Sequence, residues 1–192
     1  MKKWIFILPF IIIIIVILFF SGYRFTAFSA AKSHDFLPVD ADVVEQHDIG
    51  SSVIYLFKSD EEEMYHTVLS EKKCFFYHSD VSTYTPFRSG DIQTIGGIRY
   101  TTKDEEATMM SVISNDKEVA YIEAGAEPYT KKKKIKIGEP ITFLFSYSKP
   151  INQLNAVATN KEGEELYYYG YPENATHINI NEDLRWYKID EQ

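Results

Sequence analysis

The chain has one cysteine, Cys74, in 192 residues. No intrachain disulfide can close, which excludes the disulfide-stapled class of small secreted domains. It also lacks the short motifs that commit a sequence to a known chemistry. There is no G-x-S-x-G, no H-E-x-x-H, no P-loop and no dinucleotide fingerprint, so no cofactor is implied. The five histidines, His34, His47, His66, His78 and His177, are scattered without the spacing a metal needs. The nearest approach to an ion-binding loop, DADVVEQHD at 40–48, has neither the central glycine nor the terminal glutamate of an EF-hand. Positive charge is scarce too. Lys2, Lys3, Arg24 and Lys32 precede residue 33 and no acidic residue does, so residues 33–192 carry 16 basic against 28 acidic side chains, a charge of −12. A phosphate backbone is recognised by a positive field, and that sign excludes nucleic acid as a partner.

Charge is wholly missing from one stretch, and there the sequence is most explicit. WIFILPFIIIIIVILFF, at 4–20, follows two lysines and is apolar throughout. A helix over 4–23 would be about 30 Å long, the thickness of a bilayer's hydrocarbon core. Pro9 lies where an amide has little or no intrahelical partner, so a mild kink is expected and not a break. Trp4 at one end and Tyr23, Phe25 and Phe28 at the other read as interfacial aromatics. Lys2 and Lys3 hold the short amino end in the cytoplasm, which places the remainder outside. The competing reading is a cleaved signal peptide, with small-residue sites at 27–29 and 29–31. Against it stand an apolar core longer than the usual h-region and Arg24 with three aromatics before either site.

After residue 32 the pattern has no sustained helical period. The organisation expected is a cytoplasmic tail at 1–3, a transmembrane anchor at 4–23 and a juxtamembrane stalk at 24–42. A first β lobe, a meander, follows at 43–102, and a second, sandwich-like lobe at 103–192. Short β-branched and aromatic runs recur every eight to twelve residues between turn signals, the mark of a mainly β ectodomain with antiparallel strands. VIYLF (53–57) reads as a buried strand, SDEEE (59–63) as a turn, 64–69 as the return strand, SEKK (70–73) as a second turn and CFFYH (74–78) as a third strand. Gly96 and Gly97 inside IQTIGGIRYT (92–101) predict a hairpin or bulge. Further strands are expected at 109–114, 119–124, 133–137, 141–147, 154–159, 166–171, 177–180 and 185–189, with one or two helical turns at most near 40–46. That run suits a small Ig-like sandwich in the second half.

Five segments, FKSD with EKK (57–73), IGGIRY (95–100), NDKEVAYIEAG (115–125), LYYYGYP (166–172) and DLRWYKI (183–189), carry a resemblance. Together they look like a family of small membrane-anchored or secreted envelope proteins of Bacillus-type bacteria. These are strand-and-turn motifs. The resemblance implies an extracytoplasmic location and a β fold, and it transfers no site residue.

Four groups of residues merit a chemical reading. Cys74 and His78 could pair as thiolate and base, but four residues apart on one strand they lie about 13 Å apart, so a buried structural cysteine is expected. The carboxylates 61–63 and 104–106 sit at turn tips, where nothing separates their pKa values for acid–base work. KKKKIKIG (131–138) opposes the charge of its surroundings. Lys131, Lys132, Lys133, Lys134 and Lys136 could contact anionic lipid or polymer, or could equally guard an exposed edge strand against aggregation. Tyr167, Tyr168, Tyr169 and Tyr171 alternate between two faces. One is core, and the other, if open, is an aromatic surface for sugar rings or a protein. The function expected is a single-pass, membrane-anchored, non-catalytic module that binds a protein or a cell-wall polymer outside the cell. The alternatives are an envelope hydrolase with carboxylates assembled by the fold, and an ectodomain regulating a membrane or secreted partner.

Overall fold

The computed structural model describes residues 4–102, 105–172, 179 and 184–189. The protein is mainly β, with three antiparallel sheets and few helices, and it divides into two compact units, 1–84 and 85–192.

In the first unit α1 (Trp4–Phe20) runs through Pro9 without a break. It stops earlier than residue 23. Gly22, at φ 82°, closes it: its N–H donates to Phe19 C=O (3.2 Å) and the Tyr23 N–H to Leu18 C=O (3.0 Å). That pair of bonds is a Schellman motif with glycine at the left-handed position, and it satisfies carbonyls that the helix end leaves open. Among the described residues no helix is long and apolar enough to cross a membrane. The helix expected over 4–23 is thus 17 residues long, ended by a local stop signal, and the membrane span expected there is not supported.

The segment expected to be a stalk belongs to the fold. Arg24 forms a two-way backbone bridge with Tyr77 (2.8 and 2.7 Å). Thr26 then caps α2 (Ala27–Lys32) by accepting from the Ser29 N–H at 3.1 Å. Ala27, Ala30 and Ala31, spaced to share one face, are buried, and the first and last of them pack with Tyr55, Phe57 and Val68. Small side chains let this helix lie close against the sheet beneath.

That sheet is a four-stranded meander of β1 (Asp42–Ile49), β2 (Ser52–Ser59), β3 (Met64–Lys73) and β4 (Phe76–Pro86). β1 replaces the one or two helical turns expected there. Being an edge strand it buries little, with Val43 and Val44 exposed, so its sequence shows no clean alternation. SEKK is the end of β3, not a turn. Ser70 is buried, and its hydroxyl donates to Ala27 C=O at 2.8 Å. The chain reverses instead at Cys74 and Phe75. Cys74 has φ 57° and is exposed, which corrects the expectation of a buried cysteine: it sits at a hairpin tip where no side chain covers it.

The second unit stacks two sheets over one core. The smaller contains β5 (Ile92–Thr101), β6 (Glu106–Ser114) and β9 (Ile141–Phe145), in that order. The larger has the order β12 (Arg185–Lys188), β11 (Glu165–Gly170), β10 (Val157–Thr159), β7 (Tyr121–Ala124), β8 (Lys131–Lys134). Met110, Val112, Phe143 and Phe145 from the first sheet form one cluster with Ile122, Ala158, Tyr167, Tyr169 and Trp186 from the second. A boundary after residue 102 is displaced to residue 84, because β5 pairs with β6 along its length, from Ile92 opposite Ser114 to Thr101 opposite Glu106. The bulge expected at the glycine pair is present between Thr94 and Gly96. A Cβ on Gly97 would meet Ile151 Cδ1 at 3.0 Å, so the short 3-10 turn Ile151–Gln153 packs closely over this glycine. The strand expected at 177–180 lies outside the described residues except for Asn179.

Candidate functional site

The second unit holds a cleft of about 690 Å³ beside the two edge strands β5 and β12. One wall is the beginning of β5 with the loop before it, which carries Arg88. The other is β12, contributing Arg185, Tyr187 and Lys188. Tyr169 and Trp186, both buried, lie at its base. The Trp186 Nε1–H donates to Thr94 Oγ1 at 3.1 Å and ties β12 to β5. Burial pushes the Tyr169 hydroxyl up to about 12, with its bond to Thr94 and the nearby Arg88 opposing the shift, so it stays protonated across the physiological range.

The cations are positioned, not loose. Arg88 Nη1 donates to Leu184 C=O at 3.3 Å. The Arg185 guanidinium sits 5.0 Å above the ring of Tyr187, which in turn stacks on Tyr168 at 5.5 Å and 24°. Three basic side chains and no carboxylate line this cleft among the described residues, in a segment, 85–192, that carries 13 basic against 17 acidic side chains. Such a cleft concentrates anions.

The tyrosines divide as alternation requires. Tyr167 and Tyr169 face the core, Tyr168 lies on the outer face against Tyr187, and Tyr171 is half-buried. Tyr168 is therefore one layer of an Arg185–Tyr187–Tyr168 stack, with part of its ring area already covered.

The lysines form β8, the edge strand beside β7, and are exposed. Two of them reach across to the other sheet's edge strand. Lys131 Nζ donates to Leu144 C=O (2.5 Å) and Lys133 Nζ to Thr142 C=O (2.6 Å), each above a β9 phenylalanine, Phe145 at 5.1 Å and Phe143 at 5.6 Å. They cap carbonyls on an open edge, which is how lysine blunts strand-to-strand association. Lys132 points the other way, 3.9 Å from Glu123 and over Tyr121, and Lys136 pairs with Glu139 at 2.9 Å. Lys134 is exposed on the same strand.

Two carboxylates do converge. Asp91 Oδ2 (3.0 Å) and Asp116 Oδ2 (2.8 Å) both lie within hydrogen-bond distance of the Tyr167 hydroxyl. A phenol has one proton to give, so it donates to one at a time. Burial, and then these carboxylates, raise the Tyr167 pKa. Neither aspartate is among the residues that line the cleft of about 690 Å³; the cluster fastens β11 to the start of β5 and the loop after β6. No group of three or more histidine, cysteine, aspartate or glutamate side chains that could hold a metal occurs among the described residues. The stretch 40–48 is mostly strand β1, and Asp40 accepts from the Ser59 hydroxyl at 3.0 and 2.8 Å.

Fold and cleft define a class: a mainly β protein with a basic, aromatic-based cleft where two sheets meet at their edges. Beyond that class, the chain matches no protein family, no curated protein and no solved structure.

Proposed function

We propose that this is a membrane-anchored, extracytoplasmic, non-catalytic binding module whose second unit contacts an anionic polymer of the cell envelope through the basic cleft. The observation that carries the anchor is the surface of α1. Its described side chains are apolar on every side, and from Phe10 to Val16 all are at least 41% exposed, so no protein core covers them. A helix hydrophobic all round belongs in a core or in lipid. At about 1.5 Å per residue it is about 25 Å long, at the short end of the spanning range, and a bilayer accommodates such a helix by local thinning and by snorkelling of flanking residues. Lys2 and Lys3 flank it on one side and Arg24 on the other.

The second unit is an Ig-like module on this reading. Its pairings β5-β6-β9 and β8-β7-β10-β11 follow the order A-B-E and C′-C-F-G when strands are lettered along the chain, with β12 added beside G. Sandwiches of this type present sites by varying edges and loops, and here the varied edge is the basic one. The hydrolase alternative would draw on the Asp91 and Asp116 pair, which is bonded to the Tyr167 hydroxyl, or on Asp35, Glu62 and Asp80, which line a cleft of the first unit. The likeness to Bacillus-type envelope proteins agrees with the location proposed.

The cleft is tested with the full chain in neutral-detergent micelles and a purified polyglycerol-phosphate polymer. Each lysine or arginine near an anionic surface contributes about 1 kcal/mol, so Arg185→Glu with Lys188→Glu should weaken binding about a hundredfold or more, and flatten its salt dependence. Lys132→Glu with Lys134→Glu should change it by about twofold at most, since salt screens charges outside the cleft. Equal losses from both pairs would replace the cleft by a diffuse charge effect.

A further inference from the structure

The first unit holds a second cleft, of about 810 Å³ and of opposite character. Asp35, Glu62 and Asp80 line it, and no lysine or arginine does among the described residues. Its rim is apolar and open: Phe36 is 79% and Tyr84 72% exposed. We propose that this cleft docks a basic peptide segment of a partner protein, with lysine or arginine head groups among the carboxylates and their stems along Phe36 and Tyr84.

A second observation lies at the same wall. His66, buried there, has an Nε2 that makes no hydrogen bond among the described residues, and the half-exposed Glu62 carboxylate stands 3.4 Å from it, an ion pair only when the ring is protonated. Leaving a buried ring nitrogen unsatisfied is costly. An ammonium or guanidinium arriving beside Glu62 offers donors to the carboxylate and, in its Nδ1–H tautomer, to the ring nitrogen as well. His34 does not oppose a cation there. Its Nδ1 accepts from the Phe36 N–H at 3.2 Å, and burial lowers its pKa against the pull of Asp35 and Asp80, which keeps the ring neutral at neutral pH. Asp80 also pairs with His78 at 2.9 Å, so Asp35 and Glu62 are the carboxylates on which selectivity rests. A lipid surface is the poorer occupant, because three carboxylates repel anionic head groups and a long stem with a cationic tip suits the rim and floor together. This inference is independent of the anion-binding reading of the second unit.

The experiment uses the full chain in neutral-detergent micelles with two fluorescein-labelled pentapeptide amides, one alternating leucine with lysine and one alternating leucine with glutamate, followed by anisotropy. The lysine peptide should bind at least about tenfold more tightly, and Asp35→Asn with Glu62→Gln should reduce that preference to about twofold, because complementary charge sets the selectivity. Both residues are exposed, so melting should not change. Glu162→Gln with Glu165→Gln removes the same charge from exposed positions of the second unit and should leave the preference intact. Equal affinity for the two peptides, or equal loss from both double variants, would overturn the proposal. Either result would leave binding of the phosphate polymer to the Arg185 cleft untouched.

Discussion

Ile13→Asp combined with Ile14→Asp should shift the protein from the membrane fraction to the soluble or degraded pool. On the anchoring proposed, each aspartate near the middle of the helix costs about 2.5 to 3.5 kcal/mol on insertion scales, and the two together outweigh what a helix of 17 residues can offset. The choice of site matters. Both isoleucines are exposed, at 55% and 41%, and touch none of the buried clusters, so the sheets should fold as before. Membrane flotation reads the first effect and the unchanged melting of the β units the second. Retention in the floated fraction would mean that α1 does not hold the protein in lipid.

Gly125→Ala should be among the most damaging single substitutions in the second unit. The residue follows β7 with φ 140°, and its N–H donates to Leu154 C=O at 2.7 Å, which fixes its place. A Cβ there would lie 2.4 Å from Tyr129 O and 2.8 Å from Thr130 Cα. These are backbone atoms, and no rotamer can move them aside. Backbone strain and overpacking each cost about 1 to 3 kcal/mol, so a loss of about 3 kcal/mol or more is expected in denaturant unfolding. Gly163→Ala is the matched control. Its φ is 91°, but nothing lies within 4 Å of the added carbon, so only the conformational penalty of about 1 to 2 kcal/mol applies. Similar losses at the two positions would show that the contact with residues 129 and 130 is looser than the geometry states.

What could be read from residues alone was what neighbours along the chain decide. The apolar run of α1, the strands under VIYLF and IQTIGGIRYT, and the bulge at the glycine pair are local, and the structure has them. β1 was hidden because an edge strand need not alternate. Ser70 misled because a hydroxyl that reads as a turn residue is buried here against the Ala27 carbonyl. Of the two readings of the lysine run, the edge-strand one is visible, with two of its members capping a sheet edge. The basic cleft was not legible. Arg88 lies far along the chain from Arg185 and Lys188, and the two segments meet only because β5 and β12 end at the same edge. The bond between Trp186 and Thr94 has no sequence signal either.

Cys74 provides the most direct test of anchorage outside the cytoplasm. It is the one cysteine in the chain and is exposed at the β3–β4 tip. Intact cells are treated with a membrane-impermeant maleimide, and membranes are then washed at alkaline pH. The protein should stay in the membrane pellet and carry the label, and Cys74→Ser should carry none. Labelling only after the cells are permeabilised, or release of the protein by the wash, would contradict the account.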